Sequence, residues 1–405
     1  MAFDLITVTV FGHPDSDFAD RLRLAGMAEH EADDFDVHVF DADDTLDAVL
    51  AAVRPQVVLS FGPIERFPRL CAGPLEVRKR WLHFDVPPDA NALAAAVLVC
   101  FIENATSDRF PDQPLVSVFT PSYKIAERIT RAYHSLVAQS YTNWEWVVYD
   151  DSPDDATFEF LALLAKNDQR VRPFRADRTC GIIGEVKRRA CGLARGQILV
   201  ELDHDDELTD HCLADLVEAY LSFPDAGFYY TDCAEVGEDG TNLSYGDSYA
   251  FGFGSYRDEL YRGRPYFVSN YPSVNPRTIR HIVGMPNHVR AWRVDAYLAL
   301  GGYSSEVHVC DDYEILLRTF LTTRMVHIQR FGYIQYINTA AGSNTQRRRN
   351  REIQRLVGAF QRHYENQIHA RFAALGIDDF MWRDGHLDWS AKDPPVVPIA
   401  NYVMK

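Results

Sequence analysis

The sequence lacks several features that mark familiar classes of protein. Its 405 residues carry 41 Lys and Arg against 58 Asp and Glu, which gives a formal net charge of -17. This shortage of positive charge argues against a protein that binds duplex nucleic acid, because such proteins neutralise phosphates with a basic surface. The seven cysteines include no C-x-x-C pair, so we expect free thiols in a reducing compartment.

Targeting and membrane signals are also missing. The longest apolar run extends from Ala92 to Ile102, well short of the roughly twenty residues that a membrane-spanning helix needs. The stretch from Met1 to Asp4 has no basic flank of the kind that opens a signal peptide. No G-x-G-x-x-G follows the first predicted strand, which argues against a dinucleotide site there. These absences predict a cytoplasmic protein without a transmembrane segment.

The residues that are present predict an α/β protein of several domains. Hydrophobic residues make up 47% of the chain and aromatic residues 12%, enough for a substantial core. Strand and helix patterns alternate over the first hundred residues and predict a small parallel sheet. A stretch with two prolines near residues 107–114 predicts a linker. We therefore expect a small α/β domain over 1–108, serving stability rather than recognition, a larger domain over 114–345, and a C-terminal segment over 346–405.

In the larger domain, three apolar runs that predict strands each end in a polar loop. These loops are Thr120-Pro121-Ser122-Tyr123, Asp150-Asp151 and Asp203-His204-Asp205-Asp206. Pro121 predicts that the first strand leaves the sheet at Thr120, because proline cannot donate to the ladder. In open α/β sheets ligands bind beyond the carboxyl ends of the strands, which is where these loops are expected.

The acidic loop has two possible roles. In an extended chain, residues two apart project to the same side, so Asp203 and Asp205 are expected to converge on one Mg²⁺ or Mn²⁺ ion. The alternative is an acidic turn that caps the next helix, with Thr209 or Asp210 as the N-cap. The D-x-D pattern alone does not decide between the two.

The order of these motifs resembles that of family 2 glycosyltransferases. The matching runs are S-V-F-T-P-S-Y-K, V-V-Y-D-D-S-P-D-D and L-V-E-L-D-H-D-D-E-L-T, and the similarity extends from about Pro114 to Phe320. It implies a GT-A fold, a Rossmann-like mixed sheet flanked by helices, here preceded by the small α/β domain and followed by a C-terminal helix. It also implies transfer of a sugar with inversion from a nucleoside-diphosphate sugar to a hydroxyl group, with Mn²⁺ or Mg²⁺ as cofactor.

The resemblance implies roles for individual residues. For the nucleoside they are Thr120, Pro121, Ser122 and Tyr123, with Asp150 or Asp151 for the base and Lys187 for the diphosphate. For the metal they are Asp203 and Asp205, and for catalysis Asp312. His204 and Asp311, which adjoin these acids in the motifs, are included in the donor-binding site. Asp150 or Asp151 would accept the N3–H of uracil or thymine, and the sequence does not choose between them. Asp205 is expected to be the direct metal ligand, with Asp203 nearer the ribose.

Asp312 is predicted to be the catalytic base, because an alcohol is a poor nucleophile until a carboxylate takes its proton. Asp311 precedes it in C-D-D-Y-E, where the family has an acidic pair opening a helix. The alternative is structural, since Asp311 and Glu314 have the spacing of a capping box. Between the two halves of the site, residues 240–271 show little periodicity and predict a long acceptor loop or lid.

The chain departs from the family in two places. Many relatives carry a late histidine near a G-x-N-T run, whereas Ala340 to Thr345 contains none. The Q-x-x-R-W of processive members lacks its tryptophan at Gln346 to Asn350, so a processive synthase is not expected. The departure at the histidine leaves open a scaffold that binds a nucleotide sugar or glycan without turnover. A sugar-phosphate nucleotidyltransferase ranks lower, because Thr120 to Lys124 has no glycine.

Apolar residues at helical spacing between Ile353 and Phe372 predict an amphipathic helix that packs on the catalytic domain or on a subunit partner, so a homo-oligomer is possible. The expected partners are a nucleoside-diphosphate sugar and a carbohydrate or other hydroxyl acceptor. UDP is favoured as the nucleotide because UDP-sugars are the most frequent donors in the family. The sugar, the acceptor and the role of the N-terminal domain do not follow from the sequence.

Overall fold

A computed structural model describes residues 6–12, 17–30, 35–40, 46–107, 113–246, 249–337 and 349–380. By the density of its internal contacts the chain divides into two compact units. The first comprises Met1–Ala126, Asn143–Cys180 and Val186–Leu199, and the second comprises Glu127–Thr142, Gly181–Glu185 and Val200–Lys405. This division differs from the predicted boundaries at 108 and 345, because the N-terminal domain and the first strands of the larger domain fall in the same unit.

The first half of the chain alternates strands and helices, as predicted. Its strands are β1 (Ile6–Phe11), β2 (Phe35–Phe40), β3 (Val57–Phe61), β4 (Trp81–Phe84), β5 (Val116–Ser122), β6 (Trp144–Asp150), β7 (Val171–Arg175) and β8 (Ile198–Glu201). Its α-helices are α1 (Phe18–His30), α2 (Leu46–Val53), α3 (Pro68–Cys71), α4 (Leu75–Arg78), α5 (Ala90–Ser107), α6 (Thr130–Val137), α7 (Ala156–Asn167) and α8 (Ile183–Leu193).

The second half carries longer strands and the C-terminal helix. Its strands are β9 (Glu207–Leu208), β10 (Ala226–Gly237), β11 (Ser255–Tyr261), β12 (Arg264–Asn270), β13 (Arg290–Arg293) and β14 (Arg324–Ile337). Its α-helices are α9 (Cys212–Ser222), α10 (Thr278–His281), α11 (Val294–Ala299), α12 (Asp311–Thr322) and α13 (Asn350–Ala374). None of the helices that the structure describes combines the length and the hydropathy needed to cross a bilayer.

The N-terminal domain is a parallel four-stranded sheet in the order β2-β1-β3-β4. Its core joins apolar side chains of the strands to those of α1 and α5, including Val10, Leu59, Leu22 and Val97. Strands β1 and β3 are buried along almost their whole length, including Thr9 and Ser60, as expected of a parallel sheet covered by helices.

In the same unit, β5, β6 and β7 pair in parallel and bring Ser122 beside Asp150. The prediction that β5 leaves the sheet at Thr120 was wrong: Pro121 pairs with Tyr149, and the strand ends at Ser122. Because Pro121 is the last residue but one, its missing N–H costs the ladder a single donor close to its end.

The second unit contains a sheet in the order β11-β12-β10-β13, and β14 pairs in parallel with β10. The prediction of a long irregular loop over 240–271 was wrong, because β11 and β12 form an antiparallel hairpin there. Its two-residue turn consists of Arg262 and Gly263, at φ 50° and 76°. A hairpin turn with positive φ at both positions matches the twist of the strands, and glycine adopts it readily.

The C-terminal helix α13 is amphipathic, as predicted. Its Ile353, Val357, Ile368 and Phe372 are buried in a core shared with Phe320 of α12. Residues 338–348, which include the run from Ala340 to Thr345, and residues 381–405 lie outside the described residues.

Candidate active site

The acidic loop after β8 is a turn rather than an extended segment. The backbone N–H of Asp206 donates to the carbonyl of Asp203 at 3.2 Å. A turn brings residues three apart together, so Asp203 approaches Asp206. Strand β8 ends at Glu201, so the loop lacks the extended geometry on which the convergence of Asp203 and Asp205 was based, and that convergence stays a prediction.

Asp206 is buried, with 2% of its surface exposed, and both of its carboxylate oxygens are engaged. The Tyr333 hydroxyl donates to Oδ2 at 2.8 Å, and the Tyr336 N–H donates to Oδ1 at 2.8 Å. Burial, and then the charges of Asp205 and Asp203, raise the pKa of Asp206 well above its ordinary value. A positive charge bound nearby would favour the ionised form of this carboxyl.

Ligand atoms of Asp203, Asp206 and His288 all lie within 4.8 Å of one another. His288 Nε2 is 3.6 Å from Asp203 Oδ2, and the imidazole stacks on the Tyr333 ring at 4.4 Å between centroids. Two carboxylates and one imidazole suit Mn²⁺, and also Mg²⁺ when water and phosphate complete the shell. These three residues therefore fit the divalent ion that the resemblance implies.

Asp205, the predicted direct ligand, does not belong to that cluster. Its carbonyl accepts a hydrogen bond from Arg131 at 2.7 Å, and its Oδ1 lies 3.9 Å from His204 Nε2. The side chain is 30% exposed, so it remains able to meet a ligand from solvent. Its role in metal binding stays a prediction.

A buried arginine connects the predicted base to the acidic loop. Arg290 donates to Glu201 Oε2 at 3.1 Å and to Asp312 Oδ2 at 3.2 Å, and the charge of Asp203 also acts on it. Tyr303 completes the group by donating to Glu201 at 2.8 Å. The structure therefore brings Asp312 and Asp203 to the same buried cation within the second unit.

Asp312 is partly exposed, whereas the groups that hold it are buried. Its side chain is 28% exposed, whereas Arg290 is 2% exposed and Glu201 is fully buried. The Asp312 carboxylate is therefore bonded to a buried cation on one side and accessible to solvent on the other. Removing either Arg290 or Glu201 would leave the other as an unpaired buried charge, which is costly.

The capping-box alternative for Asp311 is not observed. No side chain caps α12, whose N-cap is Cys310, and Glu314 instead pairs with Arg318 along the helix. Asp311 is buried, and Gly184 packs against it so closely that a Cβ there would lie 3.4 Å from the Asp311 Cβ. Thr209 and Asp210 are not N-caps either, because α9 begins at Cys212 with His211 in that position.

In the first unit, Asp150 and Asp151 have different surroundings. Asp150 Oδ1 accepts hydrogen bonds from the hydroxyls of Ser122 at 2.8 Å and Ser152 at 2.6 Å. Its Oδ2 is buried and has no partner among the described residues, and burial raises the pKa of this carboxyl. Asp151 Oδ1 instead accepts the backbone N–H of Cys180 at 2.8 Å. Only Asp150 thus presents a buried acceptor that the described protein atoms leave unused.

The other predicted donor-site residues of this unit differ in exposure. Thr120 is buried and accepts a hydrogen bond from the Trp146 indole at 2.8 Å, whereas Tyr123 is 46% exposed. Lys187 is buried on α8, and its neighbour Arg188 is exposed. Two neighbouring cations of α8 therefore differ in their access to a ligand.

Sequence reasoning did not single out His288, Arg290, Asp206 or Glu201. The first two lie within the stretch from Pro114 to Phe320 over which the resemblance extends, but no motif there marks them. The signal that the sequence offers is chemical: a histidine stands two residues before an arginine.

Part of the chain is similar to known glycosyltransferases. Residues 117–271 match the family model "Glycosyl transferase family 2". TuaG of Bacillus subtilis (strain 168), named for teichuronic acid biosynthesis, is 30% identical over 131 residues, which are 32% of this chain and 51% of TuaG. A chondroitin synthase of Escherichia coli is 23% identical over 281 residues, 69% of this chain and 35% of the synthase.

Among solved structures, S. aureus TarS 1-349 in complex with UDP-GlcNAc is 16% identical, with a TM-score of 0.44, and the match covers 64% of this chain and 72% of that one. The chain spans about half or less of the length of the two relatives by sequence. Residues 117–271 are thus similar to glycosyl transferase family 2, as the motif order predicted, and the larger domain has the predicted mixed α/β architecture.

Proposed function

We propose that the chain is an inverting, metal-dependent glycosyltransferase that moves a sugar from a UDP-sugar to a hydroxyl group of a glycan or glycoconjugate. The observation that carries this proposal is the buried Arg290, which donates hydrogen bonds to Asp312 and Glu201 and interacts electrostatically with Asp203. A base for the acceptor and acids for the donor are thereby gathered around one cation. The relatives named for teichuronic acid and chondroitin support a glycan as the acceptor.

In the proposed reaction Asp312 takes the proton of the acceptor hydroxyl while that oxygen attacks the anomeric carbon. The bond from this carbon to the diphosphate oxygen breaks on the opposite face, which inverts the configuration. Arg290 donates to Oδ2 of Asp312 and the Tyr313 N–H donates to Oδ1, so both bonds fix the direction of the carboxylate while its remaining lone pairs can accept the proton of the hydroxyl. Fixing the base in this way lowers the entropy that the transition state must lose.

The acidic loop would hold the cofactor. Asp203 and Asp205 are the metal ligands by motif, and Asp206 and His288 join Asp203 by position. A bound Mn²⁺ or Mg²⁺ would neutralise the charge on the departing nucleoside diphosphate. His288 offers an imidazole in place of the late histidine that this chain lacks at Ala340 to Thr345, which favours an enzyme over a scaffold without turnover.

For the nucleoside we favour Asp150 over Asp151. The free Oδ2 of Asp150 suits the N3–H of uracil, and the buried hydrogen bonds of Ser122 and Ser152 fix its direction. Thr120, Pro121, Ser122 and Tyr123 would line the same pocket, and Lys187 would meet the diphosphate. The cytoplasmic location and a homo-oligomer stay predictions from the sequence.

A donor screen tests the proposal. Thermal unfolding is followed with UDP, dTDP and GDP, each with and without Mn²⁺, and release of nucleotide is measured from the matching sugar donors. We expect UDP to stabilise the protein only with the metal, and UDP to be released slowly from one UDP-sugar without an acceptor. Binding of a UDP-sugar with no release, with or without glycan acceptors, would favour the scaffold instead.

A further inference from the structure

The N-terminal domain contacts the nucleotide-binding half of its own unit at one side of α8. Glu65, in the short 3₁₀ turn Ile64–Arg66 that follows β3, forms an ion pair with Arg189 of α8. Arg189 also donates to the hydroxyl of Tyr149 at 3.2 Å, and that hydroxyl lies 3.5 Å from Glu65 Oε1. One carboxylate of the N-terminal domain therefore reaches both α8 and the end of β6.

Two further contacts fix the same helix. Arg78 of α4 is fully buried and donates to the carbonyl of Cys191 on α8. Gly192 lies so close to α3 that a Cβ added there would be 3.1 Å from the Cβ of Cys71. A larger residue at 192 would therefore push the helix away from the domain.

These contacts adjoin two residues to which the proposed function gives a role. Tyr149 immediately precedes Asp150, the residue favoured for base recognition, and Arg189 lies two residues after Lys187 on α8. Through Arg189 and Tyr149, Glu65 holds the backbone segments that carry Lys187 and Asp150.

We propose that the N-terminal domain is a positioning module for nucleotide binding, and that Glu65 acts through Arg189 and Tyr149 on the placement of Lys187 and Asp150. The inference rests on the proposed function, since it assigns those two residues to the donor nucleotide. The Glu65–Arg189 pair is partly exposed, with 37% and 18% of the side chains accessible. Such a pair adds little to global stability, so its effect should be local.

The test compares Glu65→Gln with Asp47→Asn. Asp47 is a matched control because it forms a similar but exposed ion pair with Arg69 in the same domain, at 3.6 Å. Backbone hydrogen exchange is measured in the nucleotide-free protein, and UDP affinity is measured by calorimetry with Mn²⁺. For Glu65→Gln we expect faster exchange over 144–152 and 186–193 and about fivefold weaker UDP binding, with an unchanged melting temperature. Asp47→Asn should change neither.

The charge-reversed double variant Glu65→Arg with Arg189→Glu should restore both readouts, because it rebuilds the pair. Unchanged exchange in Glu65→Gln, or local loosening without a loss of UDP affinity, overturns the inference. So does an equal change in Asp47→Asn. A further outcome is that the wild-type protein binds no UDP while Glu65→Gln still shows the expected faster hydrogen exchange. In that case the contacts of Glu65 do stabilise α8 and the end of β6, and it is the proposed donor site that is wrong.

Discussion

At the scale of single residues, Asp312 is the most direct test of the chemistry. Asp312→Asn keeps the size of the side chain and removes its basicity. We expect the rate of sugar transfer to fall by about 10³, the middle of the range for loss of a general base. UDP affinity should stay within about twofold, since the variant leaves the predicted donor contacts intact. Steady-state kinetics and calorimetry measure the two effects.

The control for this variant is Glu306→Gln, which removes an exposed acid shortly before α12. Its transfer rate should equal that of the wild type. If Asp312→Asn turns over like the wild type, the proton acceptor lies elsewhere, and Asp311 is the next residue to examine.

The metal ligands can be separated by three further variants. Asp206→Asn and His288→Ala each remove one member of the three-residue cluster, whereas Asp205→Ala removes the ligand that the D-x-D motif predicts. We expect the loss of an essential metal ligand to weaken Mn²⁺-dependent UDP binding by about 10- to 100-fold, with little effect on UDP binding without metal. Calorimetry with and without Mn²⁺ distinguishes the two sets. A loss confined to Asp205→Ala would assign the ion to the motif rather than to the cluster.

Sequence patterns located the parts of the site but not how they meet. Asp203 and Asp312 followed from motifs because their neighbours in the chain mark them. Arg290 joins Glu201 to Asp312 across 89 and 22 residues of sequence, and no local period reports such a contact. The choice between Asp150 and Asp151 likewise needed coordinates, since it depends on which carboxylate the Cys180 N–H occupies.

At the scale of elements, the strands β1 to β4 were predictable because buried parallel strands leave short apolar runs between turns. The hairpin β11–β12 was not, since its charged and half-buried side chains obscure the alternation, and Gly263 alone does not mark a turn among the many glycines nearby. Tyr256 and Glu259 lie on the edge strand β11, where burial is incomplete. A strand was therefore easier to predict from the sequence where the burial of its residues left a clear hydrophobic pattern.

The element β6 also carries a buried acid that makes stability depend on pH. Burial alone would raise the pKa of Glu145, but Arg172 and Arg195, together with the Ser117 hydroxyl, hold it from an ordinary 4.5 down to about 2. The folded pKa lies below the unfolded value, so this stabilisation is complete above pH 4.5 and is lost as the pH falls toward 2. It is worth on the order of 3 kcal/mol.

Glu145→Gln should therefore lower the free energy of unfolding at pH 7 by about 3–5 kcal/mol, because two buried arginines lose their counter-charge. It should also flatten the decline in stability between pH 4.5 and 2. Urea unfolding at a series of pH values measures both effects. Glu159→Gln, an exposed position on α7, is the control and should leave the curve unchanged. A parallel shift of the whole curve, with its slope below pH 4.5 retained, would contradict the assignment to Glu145.

At the scale of the whole molecule, the net charge of -17 is the property that composition fixes most firmly. Like charges on the surface repel one another and destabilise the compact state, and salt screens them beyond about 10 Å at 0.1 M. Buried pairs such as Arg290 with Glu201 and Arg280 with Glu365 are screened much less, so salt should relieve the repulsion without removing them.

We therefore expect the melting temperature at pH 7 to rise by a few degrees between low salt and 0.15 M NaCl. Near the isoelectric point, pH 5.2, the same addition should have little effect, because the net charge is then close to zero. Scanning calorimetry at both pH values, with sucrose as an uncharged control solute, measures the difference. A melting temperature that falls with salt at pH 7 would mean that exposed ion pairs, rather than the excess of acids, dominate the surface.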